Sequence, residues 1–205
     1  MKVELTTTSY AVLGLLNIKP WTAYELAAEM KHCFGAFWPR AESRSYAEAD
    51  RLVHQGLATA AREYRGKRPR TTYAITAQGR EALKEWLDAP FRAFTLEFEG
   101  LIRVFLSRAG TKEQLLATLD RVQEEAEAIL AFAEMAAQAY YACQAPFQEQ
   151  EGHVRAFVFT FMVPFAKHMK AWSERTRAQV QTWDDLSPED KRERAIEIIR
   201  SAWTQ

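Results

Sequence analysis

The chain has 205 residues, of which 48% are hydrophobic and 12% aromatic, and this composition supports a folded core and excludes a mainly disordered protein. Basic and acidic residues number 27 each, so the net charge of the whole chain does not point to nucleic acid. The halves differ mildly, since residues 1–90 hold 13 basic and 10 acidic residues (net +3) and residues 91–205 hold 14 and 17 (net −3).

Cys33 and Cys143 are too few for a disulfide framework, and neither has a partner at metal-ligand spacing. We expect two reduced thiols packed in helices, with a redox-sensing role as the alternative. No signal peptide is recognised, and the richest apolar run, residues 156–166, is too short to span a bilayer. We therefore expect a cytoplasmic protein with no membrane contact, no metal and no cofactor.

Two helices are predicted near the N-terminus, over residues 5–18 and 23–31, where apolar side chains recur at steps of three and four. We expect Thr8 or Ser9 to cap the first helix and Thr22 to cap the second. A hydroxyl at this position accepts a hydrogen bond from the exposed amides of the first turn.

A third helix is predicted over residues 43–55, and a β-hairpin follows it. Gly56 ends the helix, because a left-handed C-terminal cap favours glycine. Residues 57–64 and 71–76 show the partial alternation and the β-branched residues of strands, and they flank the polar run 65–70. The loop of the hairpin is expected in that polar run.

A fourth helix, capped by Thr76, is predicted over residues 77–87, and residues 88–90 form a candidate domain boundary. Beyond the boundary only helices are predicted, over 95–107, from the capping box of Thr111 and Gln114 to 141, over 151–182 with Pro164 inside, and from the Ser187 cap to about 203. We therefore expect a mostly α-helical protein. A winged helix-turn-helix with a small β-hairpin wing occupies residues 1–90, and an all-α dimerisation domain occupies residues 91–205.

Positive charge concentrates in the predicted hairpin, where five of the nine residues 62–70 are basic against the single acid Glu63. In a winged helix-turn-helix, one helix enters the major groove and the hairpin reaches the neighbouring backbone or the minor groove. Basic side chains there neutralise phosphates and release counterions. The alternative is a charged hairpin tip that only faces solvent. The five residues are Arg62, Arg65, Lys67, Arg68 and Arg70.

The third helix and its approach carry further side chains suited to DNA. Arginines there add positive charge, and hydroxyl groups add donors for phosphate contacts. Glu42 and Glu48 bring negative charge to the same region. We expect specificity to lie in residues 43–51 and the wing to supply affinity. The candidate DNA-binding residues here are Arg40, Ser43, Arg44, Ser45, Tyr46 and Arg51.

The sequence carries Arg70-Thr71-Thr72-Tyr73-Ala74-Ile75-Thr76, followed by Gly79, Leu83 and Trp86-Leu87. This stretch makes the chain similar to the PadR family of transcription regulators. The wing and the fourth helix carry that family's recurring stretch, a basic pair followed by Tyr-x-hydrophobic-Thr-x-x-Gly and then by Leu and Trp. The resemblance is close over residues 5–90, and beyond them it rests on the layout of an acidic helical tail. The matching residues are Tyr10-Ala11-Val12-Leu13-Gly14-Leu15-Leu16, Tyr24-Glu25-Leu26, Phe37-Trp38, Tyr46, Leu52, Gly56-Leu57, Arg65, Arg70-Thr71-Thr72-Tyr73-Ala74-Ile75-Thr76, Gly79, Leu83 and Trp86-Leu87.

The resemblance implies a cytoplasmic regulator, usually a repressor, that binds a palindromic operator in double-stranded DNA as a homodimer through its tail helices. Some members of the family sense small aromatic molecules. Tyr46 carries over by its place in the recognition helix, and Arg65, Arg68 and Arg70 by their places in the wing. The family often has Tyr-Pro-x-Leu at the start of the recognition helix, where this chain has Tyr46-Ala47-Glu48-Ala49.

The residues of the C-terminal half indicate a homodimer independently of the resemblance. Two helices of about thirty residues need a long neighbour to bury their apolar faces. The run 157–165 is apolar on every face, so it must be covered all round, and a second subunit is the natural cover.

An aromatic set in the same half forms a candidate effector pocket for a small aromatic or phenolic ligand. At helical spacing such a stripe is also typical of an ordinary core, so that alternative stays open. The residues are Phe98, Phe157, Phe161, Met162, Phe165 and Trp172.

A second functional hypothesis is a winged-helix adaptor that binds protein instead of an operator, motivated by Glu42 and Glu48. An enzyme is not expected. The sequence has no nucleophile paired with a base, no glycine-rich phosphate loop and no clustered ligands.

Overall fold

A computed structural model describes residues 4–35, 37–38, 40–65, 68–91, 93–142, 148–183 and 187–203, with side chains described except at 40–46, 63–65, 68–69, 148–151 and 188. The chain forms two compact units, Met1–Phe94 and Thr95–Gln205. The first unit ends four residues beyond the boundary that was predicted at residue 90. Among the described residues, none of the helices combines the length and the apolar character needed to cross a bilayer.

The N-terminal unit has the predicted order of three helices, a hairpin and a fourth helix, with one additional short strand. That strand, β1, was not predicted because two residues show no periodicity. The three strands form an antiparallel sheet in the order β1–β3–β2. The elements are α1 (Thr7–Ile18), β1 (Trp21–Thr22), α2 (Ala23–Phe34), α3 (Arg40–His54), β2 (Ala58–Arg65), β3 (Arg68–Ile75) and α4 (Ala77–Asp88).

Three of the predicted caps in this unit are confirmed and one is corrected, while α2 ends three residues later and α3 begins three residues earlier than predicted. Thr22 and Thr76 cap α2 and α4, and Gly56 follows α3 with a left-handed φ of 73°. The cap of α1 is Thr6, which accepts from the Ser9 amide at 3.2 Å, so the prediction of Thr8 or Ser9 was wrong. Ser9 is instead the fourth residue of the capping box and is fully buried.

The hairpin strands are longer than predicted on the side of the basic run. β2 continues to Arg65 and β3 begins at Arg68, and these two residues face each other in the antiparallel register. The expectation that residues 65–70 form the loop was therefore wrong at both ends. Most of the basic residues lie on paired strands.

The core of the N-terminal unit lies between α1, α2, α3 and the sheet. The helices contribute its largest fully buried side chains, several of which are leucines. The burial of one such leucine stabilises the fold by about 2 kcal/mol. Trp21 adds a hydrogen bond from its indole N–H to the Leu15 carbonyl at 2.7 Å. The fully buried apolar residues include Val12, Leu13, Leu16, Leu26, Met30 and Leu52.

The regular elements among the described residues of the C-terminal unit are all helices, as predicted, and its centre is a pair of long antiparallel helices. Asp120 pairs with Arg177 and Glu127 with Lys170, so residue numbers rise along one helix as they fall along the other. The elements are α5 (Glu99–Phe105), a 3-10 turn (Ser107–Ala109), α6 (Lys112–Tyr141), α7 (Gln148–Gln181) and α8 (Pro188–Ser201).

The caps of α6 and α8 at Thr111 and Ser187 are confirmed as capping boxes, and Pro164 lies inside α7. The helix predicted over 95–107 is shorter and begins at Glu99. Two buried clusters join α6 to α7, one of Leu115, Leu119 and Val180 and one of Val122, Ala126 and Met169.

Candidate nucleic-acid interface

Helix α3, the candidate recognition helix, is held by its inner face. Ala49 and Leu52 are fully buried, and α3 packs against α1, α2 and β2. Its turns from residue 47 onward leave Ala47, Asp50 and His54 exposed. An α-helix with one face buried against its own protein and the opposite face exposed to solvent can enter a major groove.

Arg51 ties α3 to the first turn of α1. Its Nη2 donates to Glu48 Oε1 at 2.6 Å and to Ser9 Oγ at 2.7 Å, and its Nη1 donates to the Glu4 carbonyl at 3.5 Å. The guanidinium is therefore engaged within the protein on several sides. The same contact neutralises Glu48, one of the two acids that sequence analysis places near the groove-facing region.

A second link joins α3 to the wing strand β3. The Tyr73 hydroxyl donates to Asp50 Oδ1 at 2.6 Å, and the Tyr73 side chain is buried. Burial, followed by the hydrogen bond to Asp50, raises the pKa of Tyr73 to about 12. Tyr73 therefore remains a protonated donor at neutral pH.

A third link joins the wing to α2. Arg70 Nη2 lies 3.2 Å from Glu25 Oε1, just past the paired residues of β1 and β3. The other carboxylate oxygen of Glu25 accepts from the Thr22 amide at 3.0 Å and from the Thr22 hydroxyl at 2.6 Å. These bonds, the hydroxyl bond first, lower the pKa of Glu25, so the carboxylate stays charged at neutral pH.

The other predicted DNA-binding residues are located by their backbone. Arg65 and Arg68 face each other across the hairpin, while Lys67 and the side chains of this group lie outside the described residues. The residues placed in the first half of α3 are Arg40, Ser43, Arg44, Ser45 and Tyr46. The hairpin and the first half of α3 thus carry all of the predicted residues except Arg51, which lies further along α3.

Sequence reasoning missed the acidic partners of this region. Glu25 was named only as part of the family resemblance and Asp50 was not singled out, because their contacts lie 45 and 23 residues away along the chain. For Glu25 a local signal did exist, since Thr22 followed by a glutamate three residues later is a capping box. That signal predicts the cap and not the contact with Arg70.

The structure divides the six residues of the candidate effector pocket. Phe98, Phe165 and Trp172 pack against the clusters between α6 and α7, and Met162 is buried. Phe157 and Phe161 are 70% and 62% exposed, although the Phe161 ring stacks on Phe165 with centroids 6.2 Å apart. Within this chain, four of the six residues thus belong to the core and two of the rings face outward.

Three comparisons place this geometry among known proteins. Residues 12–85 match the family model described as "Transcriptional regulator PadR-like family". The negative transcriptional regulator PadR of Bacillus subtilis (strain 168) is 32% identical over 79 residues, which are 38% of this chain and 43% of that protein. The match therefore spans less than half the length of this relative.

Two solved structures of Bacillus subtilis PadR resemble this chain over most of its length. The complex with operator DNA has a TM-score of 0.69 at 22% identity and covers 85% of this chain and 99% of its own. The complex with p-coumaric acid has a TM-score of 0.62 at 21% identity, with 87% and 99% covered. At these identities the similarity shows a shared fold, which includes the helical C-terminal unit.

Proposed function

Since the N-terminal domain of this chain belongs to the PadR-like family of transcriptional regulators, we propose that the protein is a cytoplasmic, sequence-specific DNA-binding repressor. It binds a palindromic operator as a homodimer and is released by a small aromatic ligand. The observation that carries the proposal is the winged-helix unit itself. In this unit α3 is buried along one face and exposed along the other, and the two-stranded wing carries basic residues.

In this proposal α3 enters the major groove and its first turns contact base edges and phosphates. Arg40, Arg44 and the hydroxyl residues Ser43, Ser45 and Tyr46 lie in that half of the helix. Arg51 contributes differently from the role suggested by its charge alone. Its contact with Ser9 holds α3 on α1, and its pairing with Glu48 within α3 orients the guanidinium, so it positions the residues that touch DNA.

The wing supplies affinity by contacts with the phosphate backbone. The antiparallel register places Arg65 opposite Arg68, while Arg62 lies opposite Thr71 and Arg70 lies opposite Glu63. Lys67 and Arg70 complete the proposed backbone contacts. The pairing of Glu48 with Arg51 also favours DNA over the protein-adaptor alternative, because it neutralises one of the two acids that motivated that alternative.

Exposed apolar side chains of the C-terminal unit support a homodimer. They occur on α5, on the first half of α7 and on and after α8, where water would otherwise face them. A second copy of the chain would cover such surfaces with two-fold symmetry, and a two-fold dimer requires a palindromic operator. The exposed residues include Ile102, Phe105, Val154, Phe157, Phe161, Ile199 and Trp203.

A small aromatic effector is supported by the p-coumaric acid complex of Bacillus subtilis PadR, which has the same fold. In the candidate set, Phe157 and Phe161 are the residues whose rings remain largely exposed instead of being buried in the core of the C-terminal unit. They offer faces for stacking with a phenolic ring. The inner members, such as Trp172, would form the floor beneath them.

A gel-shift titration against the DNA upstream of the protein's own gene tests the proposal. Arg68→Ala/Arg70→Ala should weaken binding and reduce the slope of log affinity against log salt by about 1.8, since each lost phosphate contact removes about 0.9. Arg121→Ala/Arg175→Ala, at exposed positions of α6 and α7, removes the same charge and should leave the slope unchanged. Absence of salt-dependent binding by the wild-type protein would refute the proposal. Phenolic compounds that leave the complex intact would refute the effector part alone.

A further inference from the structure

Arg70, a basic residue of the wing, forms an ion pair with Glu25 of α2. Arg70 Nη2 donates to Glu25 Oε1 at 3.2 Å, and Glu25 is the partner of Arg70 among the described residues. Both side chains remain open to water, at 41% and 45% exposure. The positive charge that would meet a phosphate is therefore already matched by a carboxylate.

The two partners differ in how firmly they are held. The second oxygen of Glu25 accepts two hydrogen bonds from Thr22, so the carboxylate is fixed in the capping box of α2. Among the residues that the structure describes, Arg70 makes one contact, through the end of a long and flexible side chain. If the pair separates, Arg70 is the partner that moves.

Separation also costs little free energy, because an ion pair that is open to water contributes little to stability. A phosphate is a strong competitor for the guanidinium, since it accepts two parallel hydrogen bonds in the planar geometry of arginine. An open depression of about 400 Å³ adjoins the pair and gives a phosphate room to approach. It is lined by Thr22, Ala23, Tyr24, Glu25, Arg70 and Thr71.

We propose that Glu25 competes with the DNA backbone for Arg70, so that Arg70 transfers from the carboxylate to a phosphate when the protein binds DNA. Glu25 thereby lowers the affinity of the wing below the value that its basic residues alone would give. This inference rests on the proposed DNA-binding function. It adds an acidic residue that tunes that function from within the protein.

Glu25→Gln tests the inference with little disturbance of the fold, because glutamine also serves as the fourth residue of a capping box. Glu81→Gln is the matched control, since it removes the same charge at an exposed position of α4. Dissociation constants for one operator duplex, measured across salt concentrations, should fall by up to about fivefold for Glu25→Gln, the upper value that an exposed pair gives. The control should change little, and in an Arg70→Gln background the gain from Glu25→Gln should vanish.

A measurement on the wild-type protein covers the case in which Glu25→Gln fails to fold. The carboxyl carbon resonance of Glu25, followed by NMR, should shift on addition of duplex as Arg70 leaves. A Glu25→Gln affinity equal to the control or weaker than wild type overturns the inference, and so does an unchanged Glu25 resonance in saturated complex. If wild-type protein shows no salt-dependent binding at all, the proposed function fails together with the inference.

Discussion

The Tyr73 hydroxyl of wing strand β3 donates to Asp50 of α3 across 2.6 Å, and this bond joins the two elements proposed to contact DNA. Tyr73 is buried while Asp50 is exposed. The bond therefore has an ordered donor and an acceptor at the edge of the interface. If the wing changes its position, we expect this hydrogen bond to shift α3 as well.

We expect Tyr73→Phe to destabilise the N-terminal unit by about 1.5–3 kcal/mol, the usual contribution of a hydrogen bond to a charged acceptor. The ring still packs, so the loss reports the hydroxyl alone. Urea unfolding gives the free energy, and Tyr24→Phe, at a side chain exposed in α2, is the control that should change little. Equal unfolding free energies for wild type and Tyr73→Phe would show that the bond does not stabilise the fold.

The pH dependence of the same pair follows from the raised pKa of Tyr73, which is about 12 in the folded protein against an ordinary value of 10.0. A group with a raised folded pKa contributes stability below its unfolded pKa and loses it as pH rises through the folded value. Wild type should therefore lose its advantage over Tyr73→Phe between about pH 10 and pH 12. A difference between the two proteins that stays constant over that window would contradict the assignment.

Gly79→Ala should destabilise the protein by about 1–3 kcal/mol, the cost of overpacking a tight contact. A Cβ on Gly79 would overlap the Leu57 carbonyl oxygen, where the first turn of α4 meets the start of the hairpin. Gly14→Ala is the control, because a Cβ there meets nothing within 4 Å and alanine favours the interior of a helix. Thermal melting should move the two variants in opposite directions. A lower melting temperature for Gly14→Ala, or an unchanged one for Gly79→Ala, would contradict this packing.

Arg51→Gln should weaken DNA binding without reducing the salt slope, because Arg51 acts by holding α3 on α1. It should also lower the unfolding free energy by about 1 kcal/mol through loss of the contacts with Glu48 and Ser9. Arg68→Ala is the comparison, since a phosphate-contacting residue lowers the slope by about 0.9. If Arg51→Gln lowers the slope as much as Arg68→Ala does, Arg51 contacts phosphate directly.

Acidification should weaken the contact between α6 and α7 in the C-terminal unit. Hydrogen bonds from Lys170 and then Gln123 lower the pKa of Glu127, and Glu127 Oε1 lies 2.8 Å from Lys170 Nζ. A depressed carboxyl pKa contributes stability above the ordinary value of 4.5 and loses it as pH falls through the folded pKa. Glu127→Gln should therefore show a shallower loss of stability below pH 4.5 than wild type. An identical acid profile would argue against the pair.

The parts of the fold that depend on neighbouring residues could be predicted from the sequence. The caps at Thr22, Thr76, Thr111 and Ser187 and the left-handed Gly56 follow from local hydrogen bonding and backbone preference, and the structure confirms them. Strand β1 is too short to show a pattern. Its identity as a strand depends on pairing with β3, about fifty residues away.

The candidate site was less accessible to sequence reasoning for the same physical reason. Positive charge at Arg51 and Arg70 suggested DNA contacts, but only the tertiary structure brings Ser9 to Arg51 and Glu25 to Arg70. Helical spacing likewise groups Phe157, Phe161 and Phe165 without determining which of them another helix covers. The role of a charged or aromatic side chain therefore depends on the residues that folding places next to it.

Selection of bound duplexes from a random pool tests the central claim most directly. A two-fold homodimer with paired α3 helices should enrich palindromic sites whose half-sites are centred about one helical turn, roughly 10 base pairs, apart. Arg68→Ala/Arg70→Ala should enrich the same sequence with weaker affinity, because the proposed wing contacts are with backbone. Enrichment of single sites without two-fold symmetry, or of no sequence at all, would contradict a sequence-specific dimeric regulator.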